Sequence, residues 1–238
     1  MKKGLVTRDR VLITGGGAGI GAAITAACQA QGYETIVLDR AGGLIDVDLA
    51  DDDATAEALK LALEGGPITR LVNNVGVVRP ASIADQTLVD LDLAVALNLR
   101  CALQCMQAVL PGMREAGFGR VVNISSRAAL GKEMRSAYAA TKAGLIGMTR
   151  VWALELGQHG ITVNAIGPGP IRTALFEAAN PPGAPRTQAI VDAIPVRRMG
   201  EPEDVSQAAS FFLDGRNGFV TGQTLYVCGG MTVGVPPA

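Results

Sequence analysis

Arg10-Val-Leu-Ile-Thr14 is a short apolar run that passes directly into Gly15-Gly-Gly-Ala-Gly-Ile-Gly21 and then into the small-residue stretch 22–32, which ends at Gly32. A buried strand, a glycine loop and a helix in that order form a phosphate-binding turn. Glycines such as Gly15, Gly17, Gly19 and Gly21 let the backbone approach a pyrophosphate, whose charge meets the free N–H groups at the helix start. A strand that feeds a helix in this way predicts a parallel sheet, because the chain must cross over before it can pair again.

The rest of the chain repeats the alternation. Strands are predicted over 34–38, 44–49, 69–76, 119–126, 161–166 and 224–228, and helices from about 51, over about 88–114, over 136–158 and over 203–213. Asp51, Asp52 and Asp53 stand at the positive end of a helix, where carboxylates cap. Residues 174–200 contain several prolines and are predicted to form a substrate lid. No linker or repeat interrupts the pattern. The expectation is one domain over 1–238: an α/β, Rossmann-like, doubly wound parallel sheet of about seven strands with helices on both faces.

Hydrophobic residues make up 48% of the 238 and charged ones 18%, enough to bury a sizeable core. A net charge of −1 without a basic run disfavours nucleic acid and anionic membranes as partners. No apolar run approaches the ~20 residues of a membrane span, and Met1-Lys2-Lys3 is too short a basic start to make Leu5-Val6 a signal core. Cys28, Cys101, Cys105 and Cys228 are scattered, and the one histidine, His159, is remote, so no metal site is expected. The expectation is a soluble cytoplasmic protein with reduced thiols.

Chemistry enters with Tyr138 and Lys142, four apart in the 136–158 helix and therefore on one face. A free tyrosine titrates near ~10; an adjacent ammonium stabilises phenolate, and a lowering by about two units would let Tyr138 exchange protons at neutral pH. Asp39 ends the second strand, eighteen residues beyond Gly21, where a carboxylate can accept hydrogen bonds from the adenine-side ribose and repel a 2′-phosphate. That favours NAD, with NADP not excluded because Arg40 stands next door. Asp48 and Leu49 are expected at the adenine edge. Asn73 is read as satisfying backbone groups at a strand end, while Asn74 and Gly76 border the cofactor.

Over nearly its whole length the chain resembles the classical short-chain dehydrogenase/reductase family. Thr14-Gly15-x-x-x-Gly19-Ile20-Gly21 resembles its cofactor loop and Asn73-Asn74-Val75-Gly76 its Asn-Asn-Ala-Gly turn, with valine for alanine. Asn98, a serine of the 125–126 pair, Tyr138 and Lys142 match its catalytic tetrad, and Pro168-Gly169 its turn beside the nicotinamide, after which Ile171 and Thr173 reach the carboxamide. The resemblance implies Tyr138 as acid and base, Lys142 on the nicotinamide ribose, a serine hydrogen-bonding the substrate oxygen, and Asn98 in a water-linked proton path ending at Lys142. It also implies a homotetramer, and small residues of the 136–158 helix, Ala139, Ala140, Ala143, Gly144 and Gly147, permit close helix packing. Many members place serine and tyrosine thirteen apart, which favours Ser125; strand register favours Ser126. Register is the stiffer ruler, since a slip of one reverses every side chain, so Ser126 is expected. A second departure is the short connection after Asp39, which leaves the adenine more exposed.

The substrate walls are expected from Val77, Val78, residues 128–134, Leu175 and Phe176, with Arg127, Lys132, Glu133, Arg135 and Arg172 as nearby charges. Aromatic residues are 4% of the chain, so no stacking platform for a large planar substrate is evident. The leading expectation is an NAD(H)-dependent enzyme interconverting a secondary alcohol and its ketone. The alternative is an NADPH-dependent 3-oxoacyl carrier-protein reductase, weakened because Gly117 and His159 stand where basic docking residues are usual. A non-catalytic dinucleotide sensor would need no proton relay, against which the intact tetrad argues.

Overall fold

The computed structural model describes residues 9–234; the stretch containing Met1-Lys2-Lys3 and Leu5-Val6 lies outside the described residues. Seven parallel strands are ordered β3-β2-β1-β4-β5-β6-β7. They are β1 (Arg10–Thr14), β2 (Glu34–Asp39), β3 (Ile45–Asp46), β4 (Arg70–Asn73), β5 (Gly119–Ile124), β6 (Ile161–Pro168) and β7 (Thr224–Val227). Every residue of β1, β4, β5 and β6 is buried, as expected of parallel strands covered on both faces.

Alternation along the strands divides the core in two. Leu12, Leu71 and Val121 face one layer, packed with residues of α2 (Asp52–Glu64), α4 (Cys101–Ala116) and α5 (Ser136–Leu156). Val11, Ile13, Val72 and Val122 face the other, packed with α1 (Gly19–Ala30) and α8 (Pro202–Leu213). From β1 the sheet grows outward through β2 and β3, and from β4 through β5, β6 and β7. The order reverses between β1 and β4, so a crevice opens at their carboxyl ends, where ligands of open α/β sheets bind.

Local chemistry decides where elements stop. Asp51 caps α2, its side chain accepting from the Ala54 N–H at 3.0 Å. β3 is only two residues long, against the predicted 44–49. The chain reaches it through Gly42, at φ 75°, and Gly43, whose Cβ would lie 3.0 Å from the Val37 carbonyl; this close turn against β2 delays pairing. The predicted 88–114 helix runs as α3 (Leu88–Val95), a π-helical segment (Ala96–Arg100) and α4, and nothing in the sequence pattern flagged the π segment, which carries Asn98. Contrary to the expectation about apolar runs, Leu88–Ala116 is long and apolar enough for a membrane span. Half of its apolar window is buried in the domain, where α4 packs on β4 and β5 as a core helix.

At the opposite end of the sheet, Arg70 and Arg120 are register partners on β4 and β5. The Arg70 guanidinium lies 4.5 Å from the Tyr33 ring centroid and 4.9 Å from that of Phe118, and Arg120 lies 4.3 Å from Phe118. Asp9 pairs with Arg70 at 2.9 Å, and the Leu213 and Gly215 carbonyls accept from Arg70 and Arg120. Aromatic faces and carbonyls separate two like charges and anchor the end of α8 to the sheet.

Candidate active site

The glycine loop leaves no room for side chains. A Cβ on Gly21 would fall 1.9 Å from the Gly15 carbonyl, one on Gly17 2.6 Å from the Ala41 carbonyl, and Gly15 and Gly19 have φ of 66° and 52°. The first turn of α1 has no side-chain cap and no acidic residue, so its N–H groups face the crevice without an internal anion. Asn74 ties this loop to β4: its Nδ2 donates to the Thr14 carbonyl at 3.0 Å and the Gly15 carbonyl at 2.8 Å. The Thr14 hydroxyl in turn accepts from the Asn74 and Val75 N–H groups. Thr14 and Asn74 thus act as braces across the point where strand order reverses. Asn73 reaches no backbone group; its Nδ2 donates to Asn123 Oδ1 at 2.8 Å inside the sheet.

Asp39 stands at the end of β2, one carboxylate oxygen accepting from Gly17 N at 2.9 Å and the other from Arg40 N at 2.7 Å. Arg40 approaches Asp48 only to 3.9 Å, and both side chains are exposed. Leu49 is 2% exposed and belongs to the core, so its side chain is not at an adenine edge. These residues fit a dinucleotide: a cradle that any Cβ would fill, an uncapped helix start and a carboxylate at the ribose position.

Beyond β5 the two serines separate. Ser125 is buried and its hydroxyl donates to the Lys142 carbonyl at 2.8 Å. Ser126 is partly exposed, its hydroxyl accepts from Ala128 N at 3.1 Å, and it favours the ionised form of the Tyr138 phenol. Lys142 is buried and donates to the Ile124 carbonyl at 2.7 Å. Asn98 accepts from Val77 N at 2.8 Å and donates to Thr141 Oγ1 at 2.9 Å, so its amide braces the turn after β4 against α5. Gly76 lies between the two, for a Cβ there would stand 2.9 Å from Asn98 Oδ1 and 3.1 Å from Lys142 Nζ.

The expected lowering of the Tyr138 pKa is not what this arrangement produces. Burial raises the phenol, and the Ser126 hydrogen bond and the Arg135 charge offset that only in part. Lys142 does not act as the depressing charge: its Nζ is 5.8 Å from the ring centroid and engaged by Ile124, and burial brings its own pKa down to about 8. The sequence spacing showed the shared face but not the desolvation.

Pro168 ends β6, and Gly169 N donates to the Val227 carbonyl at 2.9 Å. Ile171 is buried and bridges to Gly200, while Thr173 caps the short helix α6 (Ala174–Ala179) and stands against Gly19. Helices α6 and α7 (Pro185–Asp192) have no buried residue, and the 174–200 stretch is pinned by Ile194 and Met199. Arg172 is not a free substrate contact: it pairs with Glu201 at 2.9 Å and Glu177 at 3.9 Å. The residue missed here is Thr141, whose hydroxyl accepts from Asn98 Nδ2 at 2.9 Å and donates to the Tyr138 carbonyl at 3.0 Å; a contact between positions so far apart in the chain leaves no local sequence signal.

A doubly wound sheet with a phosphate cradle at its reversal point and a serine, tyrosine and lysine at the neighbouring strand ends defines a dinucleotide-dependent oxidoreductase. Residues 15–232 match the family described as enoyl-(acyl carrier protein) reductase. The chain is 38% identical over 187 residues to (2S)-[(R)-hydroxy(phenyl)methyl]succinyl-CoA dehydrogenase subunit BbsD of Thauera aromatica, covering 78% of this chain and 74% of that one. It is 35% identical to acetoacetyl-CoA reductase of Shinella zoogloeoides, covering 92% and 96%. A Beutenbergia cavernae structure assigned as an NAD(P)-dependent gluconate 5-dehydrogenase, with NADP at low occupancy, superposes with a TM-score of 0.90 at 29% identity, covering 96% and 98%. The chain belongs to the short-chain dehydrogenase/reductase family. It is an oxidoreductase that acts on CH–OH groups and their ketones with NAD(P).

Proposed function

We propose that Tyr138 is the acid and base of this reaction, that Ser126 is its serine, and that NAD(H) is the preferred cofactor. The observation that carries this reading is the divergence of the two serines: Ser125 gives its hydroxyl to the Lys142 carbonyl inside the fold, which leaves the partly exposed Ser126 for the Tyr138–Lys142 end of α5. A bound nicotinamide supplies or accepts the hydride. Gly15, Gly17, Gly19, Ile20 and Gly21 would hold the pyrophosphate side, Asp39 the adenine-side ribose, and Asn74, Gly76, Tyr138, Lys142, Pro168, Gly169, Ile171 and Thr173 the nicotinamide side. In reduction the phenol gives its proton to the carbonyl oxygen as charge develops there, while the Ser126 hydroxyl donates a hydrogen bond to the same oxygen. In oxidation the phenolate takes the alcohol proton. Because burial raises the phenol, it is protonated at neutral pH and poised as a donor. Asn98 acts by holding Val77 and Thr141, and so positions Gly76 and Lys142.

Asp39 supports NAD, since its carboxylate occupies the place a 2′-phosphate would need. Arg40 opposes it weakly, because an exposed pair at 3.9 Å holds that side chain only loosely. We further read the 174–200 stretch as a lid, the protein as a homotetramer and its site as the cytoplasm, the last supported by four free, buried cysteines. Two relatives named for CoA thioesters make a 3-oxoacyl thioester, rather than a simple ketone, the second reading of the substrate.

Fluorescence titration with NADH and with NADPH tests the cofactor reading; at least ~10-fold tighter NADH binding is expected, equivalent to about 1.4 kcal/mol. Tighter NADPH binding would mean that Arg40 dominates. In the same assay Tyr138→Phe should keep its cofactor affinity and lose roughly 10²- to 10⁴-fold in turnover, the range for a positioned acid or base. Unchanged turnover removes Tyr138 from the reaction.

A further inference from the structure

We propose that Thr141 is a positioning residue of the reaction: its hydroxyl fastens the turn of α5 that carries Tyr138 and Lys142 to Asn98, and through Asn98 to the 76–77 turn after β4. This role rests on Tyr138 as acid and base and adds what holds the phenol in register with the crevice. Thr141 follows Tyr138 by three residues and immediately precedes Lys142, so the three share one side of the helix. It is 2% exposed, and a hydroxyl buried so deeply needs partners. Both of its hydrogen-bonding roles are filled: it donates to the Tyr138 carbonyl at 3.0 Å and accepts from Asn98 Nδ2 at 2.9 Å.

Asn98 reaches two elements at once. Its Oδ1 accepts from Val77 N at 2.8 Å and its Nδ2 donates to the Val77 carbonyl at 3.2 Å, so the amide bonds that residue in both directions and cannot flip without losing both bonds. The second hydrogen on Nδ2 is left for α5, and Thr141 accepts it. Asn98 sits in the wider π turn, closed by the Cys101 N–H on the Ala96 carbonyl, where the 88–116 stretch departs from α geometry. Gly76 completes the junction. A Cβ there would stand 2.9 Å from Asn98 Oδ1 and 3.1 Å from Lys142 Nζ, so the turn, the amide and the ammonium meet with no room for one more carbon. Sliding α5 along this junction would carry phenol and ammonium together away from their place in the crevice, and misplacing reacting groups by 1 Å can cost about 10²-fold in rate.

The same helix contains a control. Thr149, roughly two turns further along α5, is fully buried and bonds in the same pattern: it donates to the Leu145 carbonyl at 2.8 Å and accepts from Asn123 Nδ2 at 2.9 Å. Asn123 lies on β5 and accepts in turn from Asn73 on β4. This second lock ties α5 to the sheet and reaches neither Tyr138, Lys142 nor the 76–77 turn. If the hydroxyls of α5 did no more than satisfy buried groups, the two threonines would be equivalent.

Thr141→Val and Thr149→Val each remove one hydroxyl from this helix at similar side-chain size, and both should unfold at lower denaturant than the wild type. Turnover separates them. With acetoacetyl-CoA, or methyl acetoacetate if it is the faster ketone, Thr141→Val should lose about ten-fold or more in kcat with cofactor affinity within about two-fold, while Thr149→Val keeps its kcat within about two-fold. Thr141→Ser retains the hydroxyl and should recover most of the loss. Because Thr141 acts through Asn98, adding Thr141→Val to Asn98→Ala should lower kcat by no more than about two-fold further. Equal kcat in the two valine variants, a serine variant as impaired as the valine one, or an undiminished loss in the Asn98→Ala background overturns the proposal. Where valine is not accommodated, Thr141→Ala and Thr149→Ala are compared in the same way. Amide hydrogen exchange of the cofactor-loaded protein reads the link without turnover: Thr141→Val should speed exchange around 138–142 and also at Val77, whose N–H is held by Asn98, and a change confined to α5 overturns the proposal. Tyr138→Phe separates the two failures. With that variant inactive, a fully active Thr141→Val removes the positioning role alone; with it active, the acid–base reading falls.

Discussion

Ser125 and Ser126 are sequence neighbours with opposite surroundings, and that difference is the most direct test of the site. Ser125 spends its hydroxyl on the Lys142 carbonyl inside the fold, whereas Ser126 is partly exposed and its oxygen accepts from Ala128 N. Ser126→Ala should cost roughly 10²- to 10³-fold in kcat with little change in stability, as for loss of one donor to a developing oxyanion. Ser125→Ala should cost about 1 kcal/mol in stability, the scale of one buried hydrogen bond, and comparatively little turnover. The reverse pattern, read by steady-state kinetics and thermal unfolding, would exchange their roles. Lys142 carries a second prediction. Its pKa falls from 10.5 unfolded to about 8 folded because burial disfavours the ammonium. Between those values the unfolded chain binds more protons, so folding stability gains as pH rises through the window and the full penalty is present below it. That displacement corresponds to about 3 kcal/mol. Lys142→Met should therefore be inactive yet more stable than wild type near pH 7, and the two should converge toward pH 10.5 in denaturant titrations. A variant less stable at pH 7 would show that the hydrogen bond to Ile124 outweighs desolvation. Both serines and the Tyr138–Lys142 face could be found by counting residues, but the sign of the Tyr138 shift could not, because desolvation depends on what the rest of the chain packs around the phenol.

Elements with a strong apolar period were legible, and those set by a compromise were not. Strands β1, β4, β5 and β6 stand out as runs of branched apolar residues because both of their faces are buried. β3 was over-read by four residues: Leu44 is 71% exposed, and the pattern that resembled a strand is a chain leaving a glycine turn. The π segment follows the same apolar period as a helix, so only its backbone bonding, the Cys101 N–H reaching the Ala96 carbonyl five residues back, discloses it. The arginine–aromatic stack at the far end of the sheet was also unreadable locally, since Tyr33, Arg70, Phe118 and Arg120 come from four separate stretches. Phe118→Ala would leave two register-paired guanidiniums without the ring between them. It should lower stability by about 3–5 kcal/mol, the range for a large aromatic truncation, while cofactor affinity stays near wild type because the site is at the opposite strand ends. A loss below 1 kcal/mol in urea unfolding would mean that carbonyls alone hold the arginines.

At the scale of the whole molecule, the outer face of α5 bears on assembly. Ala140, Ala143 and Gly147 are exposed along it, followed by Val151 and by Leu154, which is 85% exposed, and Val95 and Leu103 lie exposed on the neighbouring 88–116 helix. Small residues at helical spacing let a second helix approach closely, and the apolar ones beyond them gain about 25 cal/mol for each Å² of apolar surface covered. Lys142 and Tyr138 project from the other side of the same helix, so covering this face would stiffen the element that carries the site. A Cβ on Gly147 meets nothing within 4 Å in the single chain, and arginine is a better helix former than glycine, so Gly147→Arg should fold as a protomer. In an assembly built on this face the added side chain would stand in the middle of the contact. Sedimentation velocity should give a tetramer for the wild type and a smaller species for Gly147→Arg. A wild-type monomer would refute association altogether, and a variant that remains tetrameric would place the contacts elsewhere on the surface.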